Sequence, residues 1–133
     1  WTEEEAEYHG KYFDFPPVRS FPKPTQKPYP PILIGGMAPN VLKRIVAHAD
    51  GWLPNRVSPQ DIENSRKELE TLCADAGRDP ESIQIVIYGQ EANRAHLQSL
   101  VDAGADSVVV RPEWVETEAE MGAQLERMAE AVL

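Results

Sequence analysis

The sequence predicts an α/β fold in which parallel strands alternate with helices. Three observations support this: apolar β-branched runs recur along residues 32–111, helical periodicity follows each run, and turn-forming residues separate them. Each predicted strand is apolar on both faces, as in a parallel sheet that helices cover. Four such β/α units form half of a (β/α)8 barrel of the TIM type, which typically needs about 250 residues; this chain has 133.

The first 31 residues have a different character. Residues 2–9 predict a short helix or the end of one, and residues 11–15 predict a short strand. Seven prolines between positions 16 and 31 predict an extended segment, either a linker or one wall of a site. We therefore describe residues 1–31 as a helix end plus a proline-rich insertion, and residues 32–133 as four β/α units of one partial domain.

The first β/α unit begins with the run Pro-Pro-Ile-Leu-Ile-Gly-Gly at 30–36. A short buried strand is predicted at 32–34, and Gly35 and Gly36 follow it. Pro39 suits the first turn of a helix. A strand, a glycine turn and a helix start form the usual phosphate site, because helix N-terminal amides point at the anion. A simple tight turn explains the same residues equally well.

The other units follow the same order. Strands are predicted at 52–54, 83–88 and 107–111, and helices at 39–49, 58–77, 91–103 and from 117 onward. Two junctions resemble each other: at 47–52 and at 103–108, a helix ends in Ala or Gly and an Asp precedes the next strand. This similarity indicates repeated units of one architecture.

Composition excludes several classes of function. The chain carries 13 Lys and Arg against 22 Asp and Glu, a net charge of −9, so we expect no nucleic-acid or anionic-membrane partner. No apolar run approaches the roughly 18 residues of a membrane helix. The lone Cys73 excludes an internal disulfide and suits a reducing cytoplasm. Because the chain opens on Trp1 in a charged segment, we expect it to be part of a longer protein.

An ordered series of residues resembles one family. The series consists of Trp1, Gly-Lys-Tyr-Phe at 10–13, spaced prolines with Gln26 ending in the diglycine at 22–36, and Ala-Asp-Gly-Trp at 49–52. It is similar to the C-terminal half of the luciferase-like monooxygenase superfamily, which includes bacterial luciferase and deazaflavin-dependent oxidoreductases. The resemblance implies barrel strands five to eight, with FMN or coenzyme F-420 bound at their C-terminal ends. It further implies either monooxygenation with O2 or hydride transfer.

The resemblance makes specific residues candidates for cofactor binding. Gly35, Gly36 and the Met37 amide become candidates for contact with the cofactor phosphate, since residues without Cβ atoms let the backbone approach closely. Asn55 and Arg56 follow the next strand and should face the same edge of the barrel. There Arg56 could meet the phosphate; a solvent-facing arginine is the alternative.

Catalytic residues remain unassigned, because the implied strands one to four would lie upstream. The expected partners are therefore a missing N-terminal half-barrel and a small-molecule substrate, and a second copy of the chain is the other candidate. A non-catalytic half-barrel that acts by assembly is the competing interpretation.

Arg111 and Glu113 could orient a substrate, but a surface ion pair explains them more simply. Trp52 is interpreted as core packing. The three histidines share no ligand spacing, so no metal site is expected.

Overall fold

The computed structural model describes all residues from 1 to 133, in two compact units, Trp1–Pro31 and Ile32–Leu133. The first unit contains an antiparallel hairpin of β1 (Ala6–His9) and β2 (Asp14–Val18). The predicted helix at 2–9 is therefore wrong. Pairing outweighs the helical propensity of the glutamates because it brings Tyr8 opposite Phe15, with ring centroids 6.3 Å apart. Two prolines fit β2, since each strand of a two-stranded ribbon is an edge.

The second unit is a parallel sheet of four strands in the order β3-β4-β5-β6. The strands are β3 (Leu33–Gly35), β4 (Gly51–Leu53), β5 (Gln84–Gln90) and β6 (Ser107–Val110). The helices are α1 (Val41–His48), α2 (Pro59–Ala76), α3 (Arg94–Asp102) and α4 (Glu118–Val132), with a 3-10 turn at Pro80–Ser82. Strands and helices alternate along the chain, so the predicted α/β fold of parallel β/α units is confirmed.

The predicted helix ends of α2 follow from its sequence. Ser58 is the N-cap and forms a reciprocal capping box with Asp61, while Gly77 ends the helix at φ 65°. Hydrogen bonds from Ser58 lower the pKa of Asp61. Helix α1 begins at Val41 rather than at Pro39, and Asn40 at the N-cap position makes no side-chain capping hydrogen bond.

The core lies between one face of the sheet and helices α1 to α3. Trp52, Ile85 and Ile87 project from the strands and are at most 1% exposed. The helices add further fully buried side chains, among them Ile45, Ile62, Leu69 and Leu100. Helix α4 contributes no buried residue, and its Leu125 is half exposed. Three helices therefore seal this face of the sheet.

The opposite face of the sheet is apolar but only partly buried. Tyr88 lies opposite Val109 in the register of β5 and β6, and these side chains are 47% and 40% exposed. Val86, two residues earlier on β5, is half-buried. The expectation that both faces of every strand would be buried is thus wrong for β6, although its sequence is apolar throughout. The alternating pattern marks which side chains share a face, but burial depends on what covers them.

The two similar Asp junctions have the same structure. The Asp50 carboxylate accepts a hydrogen bond from the Ile32 amide at 2.8 Å, and the Asp50 amide donates to the Ile32 carbonyl. Asp106 repeats this arrangement with Ile85, whose amide donates to the carboxylate at 2.6 Å. Each Asp therefore bonds the start of its strand to the start of the preceding one, which helps to set the register of the two strands.

Candidate functional site

The C-terminal ends of β3 to β6, which we call the rim, bring the predicted site residues to one edge of the sheet. Because neighbouring strands lie about 4.8 Å apart, β3 and β6 are separated by roughly 14 Å along the rim. Active sites of (β/α)8 barrels are built at this end of the strands. The rim is therefore long enough for more than one binding position.

The diglycine turn occupies the β3 end of the rim. Gly36 adopts φ 100°, and a Cβ built on it would meet nothing within 4 Å. The buried Trp52 donates a hydrogen bond from Nε1 to the Gly36 carbonyl at 2.8 Å, which fixes the orientation of that peptide. The Met37 amide donates no hydrogen bond within the protein. The turn thus offers open space, a fixed backbone and a free donor, as an anion requires.

Asn55 and Arg56 lie at the end of β4, beside β5. Asn55 forms an isolated parallel bridge with Tyr88, and Arg56 has φ 51°, a strained value for a residue with a Cβ atom. Together with Gly89 and Arg111 these residues line a cavity of about 210 Å³, which we call the arginine cavity. Neither guanidinium has a carboxylate within 4 Å or makes a side-chain hydrogen bond.

A second cavity of about 400 Å³ shares Arg56 and Gly89 with the first and extends to the start of α3. Gly89, at φ 79°, is the extra residue of a β-bulge between Tyr88 and Gln90. The bulge turns Gln90 toward α3, where its Oε1 lies 3.0 Å from His96 Nε2. We call this the α3 cavity; it is also lined by Glu91 and Asn93.

The structure brings together only part of the predicted set. Asn55 and Arg56 line the same cavity, whereas Gly35, Gly36 and Met37 line neither of the two cavities. The glycine turn and Asn55 nevertheless lie on the same rim, because Gly35 is opposite Leu53 in the register of β3 and β4. The prediction that Trp52 is a core residue is confirmed by its 1% exposure.

Sequence reasoning missed the contribution of β5 and α3. Gly89 and Gln90 lie between the predicted strand at 83–88 and the predicted helix at 91–103, and a glycine at the end of an apolar run is a signal for a bulge. The expected ion pair of Arg111 with Glu113 is absent, since no carboxylate lies within 4 Å of Arg111. Both residues instead line a third, apolar cavity of about 510 Å³ with Trp114, which is 92% exposed.

The chain has neither a metal-binding cluster nor a membrane-spanning helix. No group of three or more His, Cys, Asp or Glu side chains is placed to hold a metal ion. None of the helices combines the length and the apolar character needed to cross a membrane. What distinguishes the rim is a fixed glycine turn at one end and two unpaired arginines farther along.

Comparison with curated proteins gives relatives in mycobacteria. An uncharacterized protein of Mycobacterium tuberculosis (strain H37Rv) is 41% identical over 83 residues, covering 59% of this chain and 28% of that protein. The phthiodiolone/phenolphthiodiolone dimycocerosates ketoreductase of M. tuberculosis (strain H37Ra) is 33% identical over 76 residues, covering 56% of this chain and 18% of the ketoreductase. The matched region is therefore a small part of each relative's length.

Two solved structures share the fold. The coenzyme F420 dependent tetrahydromethanopterin reductase from Methanopyrus kandleri superposes with a TM-score of 0.60 at 16% identity, over 77% of this chain and 51% of the reductase. An F420-dependent secondary alcohol dehydrogenase, solved with an F420-acetone adduct, superposes with a TM-score of 0.53 at 15% identity, over 98% of this chain and 48% of the dehydrogenase. The chain thus spans about half the length of these folds, as predicted for part of a barrel.

The profile of the family described as "Luciferase-like monooxygenase" matches residues 1–131, nearly the whole chain. The match includes the proline series, the diglycine and the Ala-Asp-Gly-Trp junction on which the resemblance was based. The predicted family is therefore confirmed. This chain belongs to the luciferase-like monooxygenase family.

Proposed function

We propose that this chain is the cofactor-phosphate half of an oxidoreductase that uses FMN or the deazaflavin coenzyme F-420. Gly35, Gly36 and Met37 would hold the phosphate through backbone contacts, with Asn55 and Arg56 at the flank. The observation that carries the proposal is the turn itself: Gly36 stands at positive φ with open space around it, and Trp52 holds its carbonyl. The free Met37 amide next to it supplies a donor.

The family and the two solved neighbours support this type of cofactor. The family is described as monooxygenases, and both neighbours are named as F420-dependent enzymes. The bound cofactor would supply the redox chemistry, either oxygen activation or hydride transfer. The residues of this chain would fix the cofactor by its phosphate and help to shape an apolar pocket, and the substrate would be a small molecule.

A second half-barrel is part of the proposal. Tyr88, Val109 and Val86 leave an apolar face only partly buried, and β3 and β6 each have an unpaired edge. We propose that an N-terminal half-barrel, which would also carry the catalytic residues, closes both edges and covers this face. The same observations favour the second candidate function, a non-catalytic half-barrel that covers the face by pairing with another copy of itself.

The cofactor proposal is tested by Gly36→Asp in a protein that contains both halves. A Cβ atom at φ 100° strains the turn, and the carboxylate repels the phosphate. We expect the Kd for FMN or coenzyme F-420 to rise about tenfold or more. Gly122→Asp is the matched control, because a Cβ at Gly122 in α4 also meets nothing within 4 Å. Equal affinity in the Gly36→Asp and control proteins would refute the diglycine assignment.

The second candidate is separated by studying the 133-residue chain by itself. Sedimentation of the purified chain, with and without FMN and coenzyme F-420, reports both assembly and binding. A stable dimer that binds neither cofactor would favour a non-catalytic assembly. Cofactor binding that appears only when an N-terminal half-barrel is supplied would favour the oxidoreductase.

A further inference from the structure

The arginine cavity extends beyond the cofactor-phosphate site proposed above: Asn55 and Arg56 flank that site, whereas Gly89 and Arg111 have no role in it. Its two cationic side chains, Arg56 and Arg111, come from the ends of different strands, β4 and β6. The chain as a whole has a net charge of −9, but the lining of this cavity contains two guanidiniums and no carboxylate, so it is locally positive. Leaving like charges close together is unfavourable unless an anion joins them.

From this arrangement, and resting on the proposed function, we infer that the arginine cavity binds an oxyanion group of the substrate, a phosphate or a carboxylate. Guanidinium groups present several N–H donors in a plane that matches either oxyanion. Two of them that line one cavity can bind the same group together. The enzyme would therefore act on an anionic small molecule.

Backbone geometry leaves room for such a group. Gly89 lines the cavity at φ 79°, and a Cβ built there would meet nothing within 4 Å. The amide of Arg111 donates to the Gln90 carbonyl at 2.9 Å, which holds the base of the arginine against the bulge. The Arg111 side chain therefore starts from a fixed backbone while its guanidinium remains free to bind.

The nearby carboxylates do not neutralise the pair. Glu91 lines the α3 cavity with Arg56, and Glu113 lines the third cavity with Arg111. Neither is within 4 Å of a guanidinium. The lining of the arginine cavity itself contains no carboxylate, so its two cationic side chains are left to a ligand.

Distance separates Arg111 from the proposed cofactor phosphate. Gly36 follows β3 and Arg111 follows β6, three strands apart, which corresponds to roughly 14 Å at about 4.8 Å per strand. A single phosphate group cannot touch both. The diglycine turn and Arg111 would therefore hold different anions, and the anion at Arg111 is assigned to the substrate because it lies on the far side of the rim from the diglycine.

The test titrates the 15N-labelled chain with inorganic phosphate, and separately with acetate, at constant ionic strength. We expect the side-chain Nε–H signals of Arg56 and Arg111 to shift together along one saturable curve. Arg111→Gln should raise the Kd about tenfold or more, because it removes a charged donor from the anion. Arg44→Gln is the matched control, since Arg44 is an exposed arginine on α1 without a side-chain hydrogen bond; it should leave the Kd within twofold.

Two results would overturn the inference. One is a linear, unsaturable shift of both arginine signals with each anion. The other is an equal loss of affinity in Arg111→Gln and Arg44→Gln, which would indicate general charge attraction. Arg111 is exposed, so the variant should fold, and Arg111→Lys provides a second variant that keeps the charge and should recover part of the affinity.

A protein containing both halves separates this inference from the cofactor proposal. Saturating FMN or coenzyme F-420 should leave phosphate binding at Arg111 intact, whereas displacement of phosphate would assign the cavity to the cofactor and overturn the inference. If neither cofactor binds while phosphate binding still depends on Arg111, the cofactor proposal fails and the anion site stands. If a cofactor binds and Arg111→Gln has no effect on phosphate, the reverse holds.

Discussion

Replacing Asp106 by Ala tests how the repeated Asp junction aligns the strands. The Asp106 carboxylate accepts a hydrogen bond from the Ile85 amide at 2.6 Å and also contacts the Arg66 guanidinium. Ile85 is fully buried, so its amide loses a charged acceptor, which costs about 1.5–3 kcal/mol. The Asp106 side chain is 48% exposed, so the ion pair adds at most about 1 kcal/mol.

The expected loss of unfolding free energy is therefore about 2–3 kcal/mol. Asp50→Ala removes the equivalent bond from Ile32, but Ile32 is 38% exposed and water can replace the acceptor. That loss should be only about 0.5–1 kcal/mol. The same motif thus predicts two different costs, because the burial of the amide differs.

Urea unfolding, followed by tryptophan fluorescence, measures both losses, because Trp52 is buried in the native chain whereas Trp1 and Trp114 are already exposed. With an m-value of about 1–3 kcal/mol/M, Asp106→Ala should lower the midpoint by roughly 1–2 M at an unchanged m-value. Hydrogen exchange at the Ile85 amide should also accelerate. Asp102→Ala is the control. It removes an exposed carboxylate on α3 that accepts one hydrogen bond from the Gln98 side chain, and it should lower the unfolding free energy by less than about 0.5 kcal/mol. Equal losses in Asp106→Ala and Asp102→Ala would refute the reasoning.

Three further predictions concern helix ends and the core. Gly77→Ala should destabilise the chain by about 1–2 kcal/mol in urea unfolding, because Gly77 has φ 65°; an unchanged midpoint would contradict this. Capping hydrogen bonds lower the pKa values of Asp61 and Glu120. The contribution of these two carboxylates to stability is therefore complete above their pKa values in the unfolded chain, which are near 4. It is lost as the pH falls through their lower pKa values in the folded chain. The midpoint difference between the wild type and Asp61→Asn should accordingly shrink between pH 6 and pH 3, and a constant difference would argue against the capping box. Cys73 is fully buried, and this burial raises the pKa of its thiol. A thiol reagent at pH 7.5 should therefore modify Cys73 only at the rate of unfolding. Rapid modification of the native chain would show that the thiol is accessible.

Local sequence signals predicted most of the second unit because they act over a few residues. Ser58, Pro59 and Gly77 mark both ends of α2 through hydrogen bonds and backbone preferences that need no distant partner. The apolar runs predicted all four parallel strands, with errors of a few residues at their ends. The failure came in the first unit, where the glutamates favour a helix but the strand at 6–9 depends on pairing with 14–18.

The candidate site was predicted only in part. The diglycine, Asn55 and Arg56 follow strands and could be placed at the rim, because the ends of parallel strands meet at one edge. Arg111 was interpreted as an ion-pair partner of Glu113, two residues away. Its position on the arginine cavity with Arg56 depends on strand order and on the bulge at Gly89, and neither can be read from local spacing.

The parallel β/α order, the helix caps and the family could be predicted from the amino-acid sequence, because periodicity, capping and an ordered motif series are properties of neighbouring residues. Which apolar face is sealed depends on tertiary packing, since Ile87 and Tyr88 are adjacent in an apolar run yet differ in exposure from 0% to 47%. It also decided that two arginines 55 positions apart share one cavity, because strand pairing brings distant residues together.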